Sequence, residues 1–347
     1  MAAHTFLGDE RRYLLASVLA SKLLNMGVVA SAVQPLSILV IKIDEIGDMA
    51  LSTHVFAYLK RDFPNAHITV LCKPLVRGLI IADPNIDAII TSVDDWTSRF
   101  DVVVELRGTW ATLRKALVLR PRLRLDRATV RLRRKFSYGQ LHETETNSLI
   151  VEPLLRNKEP LDPLIYVDED SRQTVVRFLQ DCGLESYAVV APGARQLLRQ
   201  WPSERFADII RWVYERYGLR SVCAGGLDDA AKIEEIIAMC GGAAIAAPRS
   251  FSLTNFAGLC KGASLFVGNE SGPLHIAATF NIPLVGIYGP GVPRVFNPIG
   301  ARSVVVHRVL ECNPCDQIHC VHPDNPCIRR IDTSEIRDAI IDVLSRL

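Results

Sequence analysis

The chain has 347 residues, 49% hydrophobic and 22% charged, the composition of an ordinary globular protein too long for one hydrophobic core, so two domains are expected. A net charge of +2 is too small to point to nucleic acid. Nine cysteines in so long a chain exclude a small secreted disulfide scaffold.

In chain order, Tyr13 to Val33 is nearly all apolar or small, and Val29-Ala30-Ser31-Ala32 imitates a signal cleavage site. Asp9 and Glu10 precede the run, and Lys22 and Asn25 interrupt it, which disfavours a signal sequence or a membrane span. Ser17, Ser21 and Asn25 recur at helical spacing, with Leu14, Leu15, Val18, Leu19, Leu23 and Met26 mostly on the other side. That spacing predicts an amphipathic helix within an N-terminal extension, residues 1–35. Its docking place stays open between its own domain, a partner and a membrane surface.

From Leu36 strands and helices alternate. "LSILVIKI", "HITVLCK", "DAIIT" and "DVVVEL" read as buried strands, with a helix beginning near Asp48. This first α/β domain spans 36–152, and the Pro-bearing segment 153–163 reads as a linker. The second domain, 164–330, repeats the alternation through "YAVVAPGA", "RSVCAGG" and "AAIAAP". It ends in "SLFVGNESGPLHIAATFNIPLVGIYGP", a strand–turn–helix–strand unit that implies a parallel sheet. A closing helix, 331–347, is capped by Asp332 or Thr333. Ligands of open parallel sheets bind beyond the carboxyl ends of the strands, so the loops there carry the candidate residues.

Asp48 follows Gly47 after the first strand. It is read either as a helix cap or as a general base, and a helix start there is expected to lower its pKa. Pro192-Gly193-Ala194-Arg195, with Arg199 close behind, suits a phosphate, against the plainer reading of surface arginines. In Gly225-Gly226-Leu227-Asp228-Asp229 an acid is a routine cap or a partner for a ribose hydroxyl. Ser271 is the expected N-cap of a helix through Gly272, Pro273 and His275 whose start suits an anion. Asp168-Glu169-Asp170 imitates a metal-binding D-x-D but precedes a helix, where capping is expected. No G-x-G-x-x-G, P-loop or G-x-S-x-G motif stands where its chemistry needs it.

Two further features are local. Arg114, Lys115, Arg120, Arg122, Arg124, Arg127, Arg131, Arg133, Arg134 and Lys135 are opposed only by Asp126. Either this is a solvated face, or Arg131, Arg133 and Arg134 meet an anionic acceptor. Cys312, Cys315, Cys320 and Cys327 place four thiols in one loop, a candidate zinc or iron site beside the alternative of reduced, unliganded thiols.

"ILVIKIDEIGDMALSTHVFAYLKRDFPNAHITVLCK", "APGARQLLRQWPSERFADII" and "LFVGNESGPLHIAATFNIPLVGIYGP" together resemble glycosyltransferase family nine, the ADP-heptose:lipopolysaccharide heptosyltransferases. The resemblance implies a GT-B fold of two Rossmann-like parallel-sheet domains facing a central cleft. It also implies inverting heptose transfer from an ADP-sugar to an anionic glycolipid hydroxyl, with no cofactor needed for catalysis. Location would be cytoplasmic, with peripheral contact at the inner membrane. By position, Asp48 matches the catalytic base, and Gly47, Gly193 and Arg195 fall within the matching loops. Arg199 stands at a lysine that contacts donor phosphates, Asp229 at an acid near the ribose, and Glu270, Ser271, Gly272 and His275 in the donor block. A branch of the family carries a cysteine-bound iron, which bears on the Cys loop. Glu270 stands where Asp is commoner, and Arg199 replaces Lys. These departures motivate three alternatives: another nucleotide sugar, a protein acceptor, or a non-catalytic sugar-nucleotide-binding protein.

Overall fold

The computed structural model describes residues 2–92, 99–137, 140–313, 315 and 317–346, with the backbone alone for residues 2–9 and 134–137. It divides into two compact units, Met1–Pro163 and Leu164–Leu347. The segment expected to link the domains forms the end of the first unit.

In the first unit the strands are β1 (Ser37–Lys42), β2 (His67–Cys72), β3 (Ala88–Ile90), β4 (Val102–Glu105) and β5 (Leu123–Asp126). The helices are α1 (Ala2–Leu24), α2 (Ile46–Ala50), α3 (His54–Asp62), α4 (Pro74–Ile80), α5 (Trp110–Leu119), α6 (Arg127–Ser137) and α7 (Glu143–Val151). Among the described residues the sheet has the order β3-β2-β1-β4-β5, and every pairing is parallel. Helices on both faces explain why β1, β2 and β4 read as unbroken apolar runs rather than alternating ones. β5 lies inside the basic segment, so that segment is not one cationic face: Arg124 is fully buried. α1 joins this unit, packing against α6, β5 and α5.

The second unit adds β6 (Tyr187–Ala191), β7 (Arg220–Cys223), β8 (Ala244–Ala246), β9 (Leu265–Asn269), β10 (Leu284–Tyr288) and β11 (Ser303–His307). Its helices are α8 (Glu169–Asp181), α9 (Ser203–Tyr217), α10 (Ala230–Ala238), α11 (Leu253–Lys261), α12 (Gly272–Ala278), α13 (Pro293–Phe296) and α14 (Thr333–Ser345). The order β11-β10-β9-β6-β7-β8, again all parallel among the described residues, is the doubly wound order. Asp168 caps α8 by accepting from the Ser171 N–H at 2.8 Å, which absorbs the D-x-D motif. Asp332 caps α14 in a reciprocal box with Glu335. Trp201, Phe206 and Val213 pack beneath one face of the sheet, and Phe266, Leu274 and Tyr288 on the other.

In each sheet the strand order reverses between two central neighbours, β1 and β4 in one and β6 and β9 in the other. A crevice opens at such a reversal, beyond the carboxyl ends. Asp48 follows β1, Gly193 follows β6 and Glu270 follows β9, so topology alone puts the candidates at the two reversal points.

Candidate functional site

In the first unit the buried end of β1 supplies Lys42, whose Nζ lies 3.1 Å from Asp44 and 3.4 Å from Glu143. Arg107 pairs with the other Asp44 oxygen. Arg127 grips Glu143 with two nitrogens, at 2.7 and 2.6 Å. Burial works against an ionised Glu143, but Arg127 and then Lys42 outweigh it and hold the carboxyl down to about 2. Neither Lys42 nor Glu143 was marked in the sequence. The available signal was a lysine closing an otherwise apolar strand.

Asp48 stands at the edge of this network, on the third residue of α2. Glu45 occupies the N-cap position and is itself bridged to Lys73 at 2.6 Å, so Asp48 is not the cap. Among the described residues no hydrogen bond or ion pair reaches the Asp48 carboxylate. Burial raises its pKa; Lys42 and Arg107 oppose, while Asp44 and Glu143 add to the rise. The expected lowering by a helix start is therefore overturned. A five-residue helix has little dipole to offer, and partial burial beside two carboxylates outweighs it. Gly47 sits beside Asp48 in the same turn, its carbonyl taken by the Leu51 N–H at 3.0 Å.

In the second unit Asn269, at the end of β9, ties the site together. Its amide donates to the Pro192 carbonyl at 2.7 Å, and its oxygen accepts from the Trp201 N–H at 3.1 Å. The loop carrying Gly193, Arg195 and Arg199 is thereby pinned to the Glu270 turn. Asn269 went unassigned in the sequence; a polar residue closing a buried strand was its signal. Asp229 accepts from the Gly226 N–H at 2.8 Å and lies so close to Gly193 that a Cβ there would strike its carboxylate. Gly193 and Asp229 are thus brought together. Arg195 is exposed, and His275 is buried on α12.

Arg199 and Glu270 meet as well. Arg199 Nη1 lies 3.6 Å from Glu270 Oε1, and its Nε donates to Gln317 at 2.9 Å. Glu270 is buried, its Oε2 has no hydrogen-bond partner among the described residues, and a Cβ on Gly291 would collide with that carboxylate. Burial pushes the Glu270 pKa up to about 7 against the pull of Arg199. Ser271 holds the N-cap position of α12, but its hydroxyl turns to the Asn269 carbonyl at 3.2 Å and makes no cap bond. The expected capping is corrected: Ser271 leaves the first N–H groups of α12 to other partners.

A testable consequence follows from Glu270. Its folded pKa lies above the ordinary carboxylate value, so the folded state holds the proton more tightly and loses stability as pH rises through about 7. Glu270→Gln should melt with the wild type near pH 5 and at a higher temperature than the wild type near pH 8. A variant less stable than the wild type at pH 8 would mean that the ion pair with Arg199 outweighs burial.

The remaining candidates lie outside these two networks. Arg131 is half-buried with its Nη1 3.5 Å from the Gly108 carbonyl, Arg133 is exposed, and the Arg134 side chain lies outside the described residues. Cys312, Cys315, Cys320 and Cys327 line one small cavity with His319 and Leu198. However, among the described residues no group of three or more His, Cys, Asp or Glu side chains is placed to hold a metal ion. The expected zinc or iron site is not formed there. Cys315 accepts from the Gln317 N–H at 3.4 Å, and Cys312 lies 3.9 Å from the Asn313 amide oxygen.

The family model for glycosyltransferase family 9 (heptosyltransferase) matches residues 120–324. The chain belongs to glycosyltransferase family 9. It is therefore a glycosyltransferase, and its two Rossmann-like units are of the GT-B fold class. It is 26% identical over 281 residues to lipopolysaccharide heptosyltransferase 3 of Escherichia coli K12, covering 70% of this chain and 79% of that one. The crystal structure of a family 9 glycosyltransferase from Veillonella parvula superposes with a TM-score of 0.76 at 20% identity, covering 90% of this chain and 97% of that one. E. coli ADP-heptose LPS heptosyltransferase II gives 0.69 at 20% identity, with 89% and 99% covered. For family 9, the candidates mark two sets: Asp48 with Gly47 in the first unit, and the loops joined by Asn269 in the second.

Proposed function

We propose that this family 9 enzyme transfers a heptose from ADP-heptose to a hydroxyl of the lipopolysaccharide inner core, with inversion, at the cytoplasmic face of the inner membrane. The observation that carries the reading is the state of Asp48. It is a carboxylate of raised pKa, with no ion pair among the described residues, beside Asp44 and Glu143, which are paired with Lys42 and Arg127. Asp48 accepts the proton of the acceptor hydroxyl as that oxygen attacks the anomeric carbon. The bond from that carbon to the diphosphate breaks, and ADP leaves with the electron pair. Arg199, Arg195 and the backbone at Gly193 meet the growing charge on the diphosphate. Asp229 takes a ribose hydroxyl, Glu270, Ser271, Gly272 and His275 seat the rest of the donor, and Arg131, Arg133 and Arg134 face the anionic acceptor.

Support for heptosyl transfer comes from the similarity to lipopolysaccharide heptosyltransferase 3. Calorimetric titration is expected to rank ADP above UDP and GDP. Arg199→Ala should weaken ADP binding by about 1.5–3 kcal/mol, the worth of a charged hydrogen bond. A second reading, another nucleotide sugar, is favoured by the extra methylene of Glu270 and the planar fork of Arg199. A clear preference for UDP or GDP would select it over ADP-heptose. Binding of all three without turnover would leave a sugar-nucleotide-binding protein.

A further inference from the structure

Helix α1 buries two serines beside Tyr13 and Leu14 and leaves a row of leucines outside. Ser17 and Ser21 are buried, whereas Leu15, Leu19 and Leu23, with Met26 just beyond the helix, are 67%, 59%, 63% and 79% exposed. The cause is the buried guanidinium of Arg124. It donates to the Ser17 carbonyl at 2.9 Å, to the Ser21 hydroxyl at 2.6 Å and to the Ser17 hydroxyl at 2.8 Å. Ser21 in turn donates to Asp126 at 2.7 Å. Asn25 completes the clamp by exchanging two hydrogen bonds with the Arg124 backbone, at 2.7 and 2.8 Å. Rotating the leucines inward would strip a buried charge of its partners, so the apolar exterior is fixed by the core of the unit.

The exposed face is not purely apolar. Arg11, Arg12 and Lys22 are exposed on it, at helical spacing among Leu15, Leu19, Leu23 and Met26. Glu10 falls on the other side, where it acts on Arg131. α5 lies alongside, its Trp110 ring edge-on to Tyr13 with centroids 5.7 Å apart. Trp110, Arg114, Leu117 and Val118 share one helical face and are exposed, with Arg120 and Arg122 exposed beyond them.

We infer that this face of α1, continued by α5, is a docking surface for an anionic phospholipid bilayer, with α1 lying in the plane of the headgroups. Leucines and a tryptophan interleaved with cations complement acyl chains beneath phosphates, the chemistry of an interfacial helix. A purely apolar protein partner would leave Arg11, Arg12 and Lys22 without countercharge. Among the described residues no helix is long and apolar enough to cross a membrane, which fits lying on the surface rather than spanning. The inference rests on this face and not on the proposed heptosyl transfer, so either can fail without the other.

The test is co-sedimentation of the full chain with vesicles of phosphatidylcholine alone or with about 30% phosphatidylglycerol, at low salt. Binding is expected to be strong on the anionic vesicles and weak on the neutral ones. The triple variant Leu15→Gln/Leu19→Gln/Leu23→Gln should lower partitioning by roughly tenfold or more, with an unchanged melting temperature and ADP affinity. A second variant, Arg11→Gln/Arg12→Gln/Lys22→Gln, keeps the leucines and should remove the preference for anionic lipid. No binding to either vesicle, or binding that both variants retain, would overturn the inference. So would a self-associated wild type that the leucine variant converts to monomer without any vesicle binding, which would assign the face to a second copy of the chain.

Discussion

An Asp48→Asn enzyme is expected to turn over about 10²- to 10⁴-fold more slowly than the wild type, the usual contribution of a positioned general base. Asn keeps the shape of the side chain and cannot accept the proton. Because Glu45 and not Asp48 holds the N-cap position of α2, no capping bond is lost, and ADP affinity and melting temperature should change little. The pH profile supplies the second readout. Burial raises the Asp48 pKa above the ordinary carboxylate value, and the base works only when deprotonated. The acid limb of kcat/KM should therefore lie at a higher pH than for an exposed aspartate, and it should vanish from the residual activity of Asp48→Asn. The same sign holds for stability: an ionised, partly buried Asp48 costs the folded state above its raised pKa, so the Asn variant should be at least as stable there. A variant with full activity would remove the base and leave this loop with a positioning role only.

The sequence carries the architecture wherever local pattern and burial agree. β1, β2 and β4 are continuous apolar runs because helices cover both faces of the sheet, and the Asn269–Pro273 break marks the turn after β9. β5 was hidden. "LRLD" sets charged residues between leucines inside a basic run, and Arg124 becomes a core residue only through Ser17 and Ser21, about a hundred residues earlier. The helical period of α1 was legible, but the side that docks was not, since the partners that draw its serines inward are distant in sequence. The same holds at the site. The loops bearing Asp48, Gly193 and Glu270 follow strand ends and can be read, whereas the network of Lys42, Glu143 and Arg127 and the clamp of Asn269 on Pro192 are tertiary. The direction of the Asp48 shift failed for that reason: the local rule sees a helix start, and the buried environment decides.

Arg124→Met is expected to be the most destabilising substitution in the first unit, at about 3–5 kcal/mol, the cost of removing one partner from a buried ion pair. The guanidinium is fully buried and pairs with Glu105 through Nη2, while its Nη1 lies 3.8 Å from Asp126. Met fills much of the space but leaves two buried carboxylates without their countercharge. It also strips the Ser17 and Ser21 hydroxyls of a partner, so the seat of α1 should fail first. Urea unfolding would measure the loss, and limited proteolysis within α1 would locate it. The pH dependence has a definite sign. Burial already raises the Glu105 pKa, and Arg124 is the strongest opposing influence. Without Arg124 the Glu105 pKa climbs further, so the folded variant holds a proton more tightly and gains stability relative to the wild type as pH falls. The deficit should therefore be largest near pH 8 and shrink towards pH 5. Adding Glu105→Gln to Arg124→Met should recover part of the loss at pH 8 and little at pH 5, a coupling that a double-mutant cycle isolates. A deficit under about 1 kcal/mol, or one independent of pH, would mean that water reaches these carboxylates, and that α1 is free to turn its leucines inward.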